Sequence, residues 1–252
     1  MSDPIILHYF PTMNGHRVSI ALEEMRLPYV LQCVNIREGD QFKPGFLAIS
    51  PNNRMPAIVD PHGPDGQPIS VFESAAILLY LARKTGQFYG DDERQKTLID
   101  QWLIWSVAHL GPMSGQCGHF HVYAPLLVDD PAQLTYGRTR FINEVNRLYG
   151  VLEQRLEGRD YIADSYSIAD ISTWPWTLSG DRLGQNMDDF PNIRAWQERI
   201  RARPAVQAGI AAGADFGATT RSLSDEEKRE STRMLMGQTA ATVKERSSIV
   251  ST

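Results

Sequence analysis

Strand and helix signals alternate over the first 85 or so residues, and only helical signals follow Asp91. The sequence therefore predicts an α/β domain followed by an all-helical one. Ile5–Phe10 is a short apolar run closed by the turn cluster Pro11-Thr12-Met13-Asn14-Gly15, and reads as a first strand. Val18, Ile20, Leu22 and Met25 fall in a helix-compatible segment, and Tyr29–Ile36 is rich in β-forming residues. Met55–Val59, entered through Ser50-Pro51-Asn52-Asn53, is a third strand and Pro68–Phe72 a fourth. The turn His62-Gly63-Pro64-Asp65-Gly66 joins them as a hairpin. A helix from Glu73 to Thr85, stopped by Gly86, completes a β-α-β, β-β-α order.

In the second half, Leu98, Trp102 and Trp105 recur at helical spacing until Gly111-Pro112, where a break is expected. Phe141, Val145, Leu148, Leu152 and Leu156 form an amphipathic stripe closed by Gly158. Ser167-Ile168-Ala169-Asp170 has the form of a capping box, with Tyr166 and Ile171 placed as its staple. Ile193, Trp196 and Ile200 line a helix ended by Arg203-Pro204. Gln87–Asp92 is the natural linker, giving domains at 1–88 and 93–212 and an extension at 213–252 with one weakly anchored helix around Ser224–Glu245.

Composition narrows the function. The 252 residues carry 25 basic and 30 acidic side chains, a net charge of −5, which is the wrong sign for a basic nucleic-acid-binding face. Hydrophobic residues at 42% and charged residues at 22% fit a globular enzyme. Gln101–Val128 lacks Asp, Glu, Lys and Arg, yet its polar residues and Gly111-Pro112 suit a pocket wall better than a membrane span. With no leader or anchor signal at either end, a cytoplasmic location is expected. The two cysteines, Cys33 and Cys117, form no C-x-x-C, which excludes dithiol redox chemistry carried by the chain itself. Cys117, His119 and His121 have a C-x-H-x-H spacing that lacks a fourth ligand, so no metal is expected there.

Four local motifs narrow the reading further: Phe10-Pro11-Thr12-Met13-Asn14-Gly15-His16, Ser50–Asp60, Phe72-Glu73-Ser74-Ala75-Ala76-Ile77 and Gly111-Pro112-Met113-Ser114-Gly115-Gln116. Together with the domain order, they resemble the glutathione transferase superfamily, in its nu-class and fungal nitrogen-regulator-like branch, over residues 5 to about 210. The resemblance implies a thioredoxin-like N-terminal domain, a homodimer, glutathione as bound cosubstrate, and a small disulfide or electrophile as its partner. It implies a cis Met55-Pro56 bond, with Met55 offering its backbone to the cysteinyl unit. It places the γ-glutamyl group at Glu73-Ser74, where a helix start also suits a carboxylate, although on the residues alone Ser74 is as simply a helix cap.

By the same resemblance, Gln41 contacts the glycine end and Arg140 reaches glutathione from its helix, while Thr12 and Asn14 approach the sulfur. A hydroxyl and an amide can each donate to a thiolate and favour it over the thiol. Arg17 and Lys43 add local positive charge, whereas Tyr9 lies in the strand and is expected to pack in the core. The leading expectation is disulfide reduction by glutathione's own thiol. Conjugation to an electrophile and a non-catalytic regulatory role are the alternatives; against the latter, there is no long Asn/Gln-rich N-terminal extension.

Overall fold

The computed structural model describes residues 3–216 and 224–243. The backbone divides into two compact units: residues 1–77 with 209–252, and residues 78–208.

The first unit is built on a four-stranded mixed sheet. Its strands are β1 (Ile5–Tyr9), β2 (Tyr29–Cys33), β3 (Ala57–Asp60) and β4 (Ile69–Phe72), in the spatial order β2-β1-β3-β4. β1 runs parallel to β2 with Leu7 opposite Leu31, and antiparallel to β3 with Leu7 opposite Ile58. The β1–β2 pairing is parallel because α1 (Met13–Glu24) provides the crossover, while β3 and β4 are antiparallel and joined by the expected hairpin turn. Leu7, Tyr9, Val18, Ile20, Leu22 and Ile58 have essentially no exposed surface and form the core between sheet and helix. A short helix α2 (Pro44–Leu47) precedes β3, and α3 (Ser74–Thr85) leaves β4 directly. The extension contributes α10 (Asp225–Met236), opened by a second capping box in which Ser224 and Glu227 satisfy each other's backbone N–H groups.

The second unit is helical: α3 from Leu78 onward, α4 (Glu93–Trp105), α5 (Gly111–Gly118), α6 (Thr135–Leu156), α7 (Ile168–Thr177), α8 (Pro191–Arg201) and most of α9 (Pro204–Ala211). The stripe on α6 is buried at Val145, Leu148, Leu152 and Leu156, with Phe141 only partly covered. Ser167 and Asp170 form the capping box of α7.

The break expected at Gly111-Pro112 does not occur. Helical structure continues from α4 through Ser106–Leu110 into α5, because Ser106–Leu110 widens into a π turn in which Gly111 N–H donates to Ser106 O. Pro112 then stands in the first turn of α5, where a proline's missing N–H is tolerated, and the chain passes it without stopping. A second π turn at His119–Tyr123 follows α5. Of the five tryptophans, Trp174 and Trp196 are fully buried core; Trp102, Trp105 and Trp176 are half-buried. Among the described residues, no helix is long and apolar enough to cross a membrane.

Candidate functional site

The start of α1 and the start of α3 open on one cavity of about 250 Å³ in the first unit, lined by Asn14, Asn52, Arg54, Met55, Pro56, Glu73 and Ser74. Each helix is 12 residues long and begins at that space, so the positive ends of both peptide-dipole arrays lie there. Gly15 permits the approach of α1 to β1: a Cβ there would lie 2.3 Å from Phe10 O.

Arg17 organises the cavity floor from beneath. Its guanidinium is buried, and Nη1 donates both to Asn14 Oδ1 at 2.9 Å and to Ser74 Oγ at 3.1 Å. Arginine is a donor only, so both oxygens must accept. The Asn14 amide is thereby fixed with its oxygen toward Arg17 and its NH2 turned the other way, and the Ser74 hydroxyl directs its own hydrogen elsewhere. Burial lowers the Arg17 pKa to about 9, partly opposed by the charge of Glu73, so the group stays protonated at neutral pH.

Glu73 adopts a left-handed backbone with φ of +69°, a conformation that L-residues other than Asn, Asp and Gly rarely take. Such a residue costs on the order of 1 kcal/mol or more and persists where the surroundings demand it. Here it sets Ser74 as the first residue of α3 and presents the Glu73 carboxylate at the cavity rim, where Asn52 Nδ2 donates to it at 3.0 Å.

Thr12 is the N-cap of α1: its Oγ1 accepts from Gly15 N at 3.2 Å and donates toward Met55 Sδ at 3.5 Å. Thr12 is not itself among the lining residues, but its hydroxyl reaches Met55, which is. The Met55-Pro56 peptide is cis, and both residues are buried and line the cavity.

Gln41 is buried in the loop after β2, where Nε2 donates to Ile36 O at 3.1 Å and Oε1 has no hydrogen-bond partner among the described residues; it does not line the cavity. Arg140 lies in the helical unit, exposed on α6 and paired with Glu144 at 3.4 Å. Lys43 pairs with Asp40 at 2.6 Å. The cavity also contains two groups that the sequence reading did not single out, Asn52 and Arg54. Their signal was present: both sit just ahead of Met55-Pro56, in the loop that enters β3.

The remaining reactive side chains are elsewhere. Tyr9 is buried, shares a 3.0 Å hydrogen bond between its hydroxyl and His16 Nδ1, and has its pKa pushed up to about 12 by burial, so it is no source of phenolate. Burial raises the thiol pKa of both Cys33 and Cys117, and the charges of Asp40 and Glu38 raise that of Cys33 further. Cys117 Sγ contacts Leu183 O at 3.5 Å. Among the described residues, no group of three or more His, Cys, Asp or Glu could hold a metal. A second cleft, about 320 Å³ in the helical unit, is lined by Arg159 and Arg199, but these arginines pair with Asp164 and Asp160.

Comparison with known proteins agrees with this architecture. Residues 14–84 match the glutathione S-transferase N-terminal domain and residues 142–204 the corresponding C-terminal domain. The disulfide-bond oxidoreductase YfcG of Escherichia coli K12 is 47% identical over 205 residues, covering 80% of this chain and 92% of that protein. The chain belongs to the glutathione S-transferase family. The disulfide-bond oxidoreductase YghU of the same organism is 36% identical, over 82% of this chain and 74% of that protein. A crystal structure of a glutathione transferase from Pseudomonas putida, with one glutathione disulfide bound per subunit, superimposes with a TM-score of 0.78. It is 41% identical and covers 84% of this chain and 92% of that one. A family member from Burkholderia graminis, with two glutathione molecules bound per subunit, gives a TM-score of 0.78 at 43% identity over 84% and 89% of the two chains.

Proposed function

We propose that this protein binds glutathione in the cavity between α1 and α3 and reduces small disulfides by thiol–disulfide exchange. The observation that carries the reading is the donor set itself: Asn14 and Ser74 held by buried Arg17 at two helix starts, with neither cysteine among the lining residues. The identity to YfcG and the glutathione disulfide in the Pseudomonas putida structure support it.

Glutathione carries two carboxylates, one ammonium and one thiol. The Ser74 hydroxyl and the α3 N–H groups suit a carboxylate, the Glu73 carboxylate suits the ammonium, and Arg54 suits the other carboxylate. The thiol then falls near Thr12 and Asn14. The Thr12 hydroxyl is directed at the Met55 thioether, a weak acceptor, and a thiolate is a far better one. Donation from Thr12 and from the Asn14 amide lowers the thiol's pKa from its ordinary value near 8.5.

The thiolate attacks one sulfur of the disulfide, forming a mixed disulfide with glutathione and releasing the other half as thiolate. A second glutathione thiolate then attacks the glutathione sulfur of that intermediate. Glutathione disulfide forms, and the remaining half of the substrate leaves reduced. Gln41 and Arg140 enter this reading through the family resemblance alone, as do the nu-class assignment and the homodimer.

The test is to assay reduction of a small disulfide by glutathione beside conjugation of glutathione to an aryl halide, in the native chain and in Cys33→Ser/Cys117→Ser. Reduction should exceed conjugation and largely survive the double replacement. Dominant conjugation would make the protein a conjugating transferase. Loss of reduction in a folded double variant would return the chemistry to a protein thiol, and neither activity would point to a non-catalytic role.

A further inference from the structure

The extension beyond residue 212 lies outside the motifs that carry the resemblance, yet it touches the loops that build the cavity. Phe216 packs on the Tyr9 ring, 6.5 Å between centroids, and against the apolar cluster of Phe10, Val34, Phe46, Met55 and Ala57. Met234 on α10 sits over Gly39, close enough that a Cβ there would be 3.3 Å from its sulfur. Just past α10, Gln238 Oε1 accepts from Arg54 Nη1 at 3.3 Å.

This last contact is constrained at both ends. Arg54 can only donate, which fixes the Gln238 amide with its oxygen toward the guanidinium. The opposite end of that amide, Nε2, donates at 3.2 Å to Leu235 O, one of the carbonyls left without a helical partner at the end of α10. The backbone of the helix end thus orients Gln238, and Gln238 orients Arg54. Asn53 Oδ1 takes the same Nη1 at 2.8 Å from the other side. With the Asn53 carbonyl also accepting at 3.4 Å, these contacts all fall on Nη1, and Nε and Nη2 are the donors left to meet a ligand in the cavity that Arg54 lines.

We infer that Gln238 is a positioning residue: the C-terminal extension fixes Arg54 at the cavity rim and thereby tightens the binding of glutathione through one of its carboxylates. The inference rests on reading the cavity as a glutathione site. An exposed arginine loses side-chain freedom when it grips an anion, and a partner that already restrains it removes part of that cost. The acceptor is a neutral amide, so it restrains the guanidinium without cancelling its charge.

The experiment is a double-mutant cycle in the full chain, with glutathione affinity measured by calorimetry in native protein, Gln238→Ala, Arg54→Ala and the double variant. Arg54→Ala should weaken binding about tenfold and Gln238→Ala about threefold, as expected for a charged and a modest hydrogen-bond contribution. In the Arg54→Ala background the Gln238 replacement should have no further effect. In steady-state disulfide reduction, Gln238→Ala should raise KM for glutathione with kcat unchanged. If Gln238→Ala binds as tightly as native protein while Arg54→Ala does not, the inference fails and the glutathione reading stands. Equal weakening by Gln238→Ala in both backgrounds also overturns it, because the effect would not pass through Arg54. If native protein does not bind glutathione, or Arg54→Ala binds it unchanged, the fault lies in the reading of the cavity and the inference falls with it.

Discussion

Arg17 is the residue on which the cavity's polarity depends, since one nitrogen fixes the orientation of both Asn14 and Ser74. Replacement by Met keeps a long buried stem but removes the shared donor. Glutathione affinity should fall at least tenfold in calorimetry, corresponding to about 1.5–3 kcal/mol for hydrogen bonds to a charged group. Thr12→Val removes only the hydroxyl. The pKa of bound glutathione thiol, followed by thiolate absorbance, should rise by about one unit, with disulfide reduction at neutral pH falling severalfold. Thr12, Asn14, Glu73 and Ser74 entered the sequence reading through the family resemblance, carried by short motifs at a turn and a helix start, while on the residues alone Ser74 was as simply a cap. The parts played by Arg17 and Arg54 were not legible to that depth. A guanidinium's partners are set by burial and by a contact 57 residues away at Ser74, or far along the chain at Gln238, which no local pattern encodes.

Among elements, α7 shows what local sequence can specify. The Ser167–Asp170 box closes as read, and Asp170 goes further: it also accepts from Ile162 N at 3.0 Å and Trp196 Nε1 at 2.9 Å. Full burial raises its pKa from 3.8 to about 6 despite these donors. The folded chain therefore holds a proton at Asp170 that the unfolded chain has released between about pH 4 and pH 6. This group's contribution to stability falls as pH rises through that window, by up to about 3 kcal/mol. Urea unfolding of native protein and Asp170→Asn at pH 4.5 and pH 7 checks this. The variant should be less stable at both, because an amide cannot accept all of these bonds, and its stability should fall less between them. The α4–α5 region shows the opposite case. Gly111-Pro112 carries a strong local stop signal, but a π turn at Ser106–Leu110 overrides it. That turn depends on packing around the helix, so a proline rule applied along the sequence misses it.

At the scale of the whole molecule, chain order and unit membership part company. The linker read at Gln87–Asp92 follows composition, whereas the compact units divide at Ile77–Leu78 and again at Ala208–Gly209. Gly209 marks the return of the chain to the first unit. Ser19 Oγ donates to its carbonyl at 2.6 Å, and a Cβ there would lie 2.6 Å from Ile20 Cα, with backbone on one side leaving nothing flexible to yield. Gly209→Ala should destabilise the protein by about 1–3 kcal/mol, read as a lowered midpoint in thermal or urea unfolding. No sequence pattern signals this contact, since Gly209 sits inside an ordinary helix-forming run. The return at Gly209 also bears on how the protein is made. Domains generally fold as they emerge from the ribosome, N-terminal parts first, at about 5–20 residues per second. Here the first unit includes residues that are synthesised only after the whole helical unit. For several seconds the nascent sheet, α1 and the loop bearing Arg54 are outside the ribosome without their closing partner. That interval is when a chaperone or a protease would meet this chain.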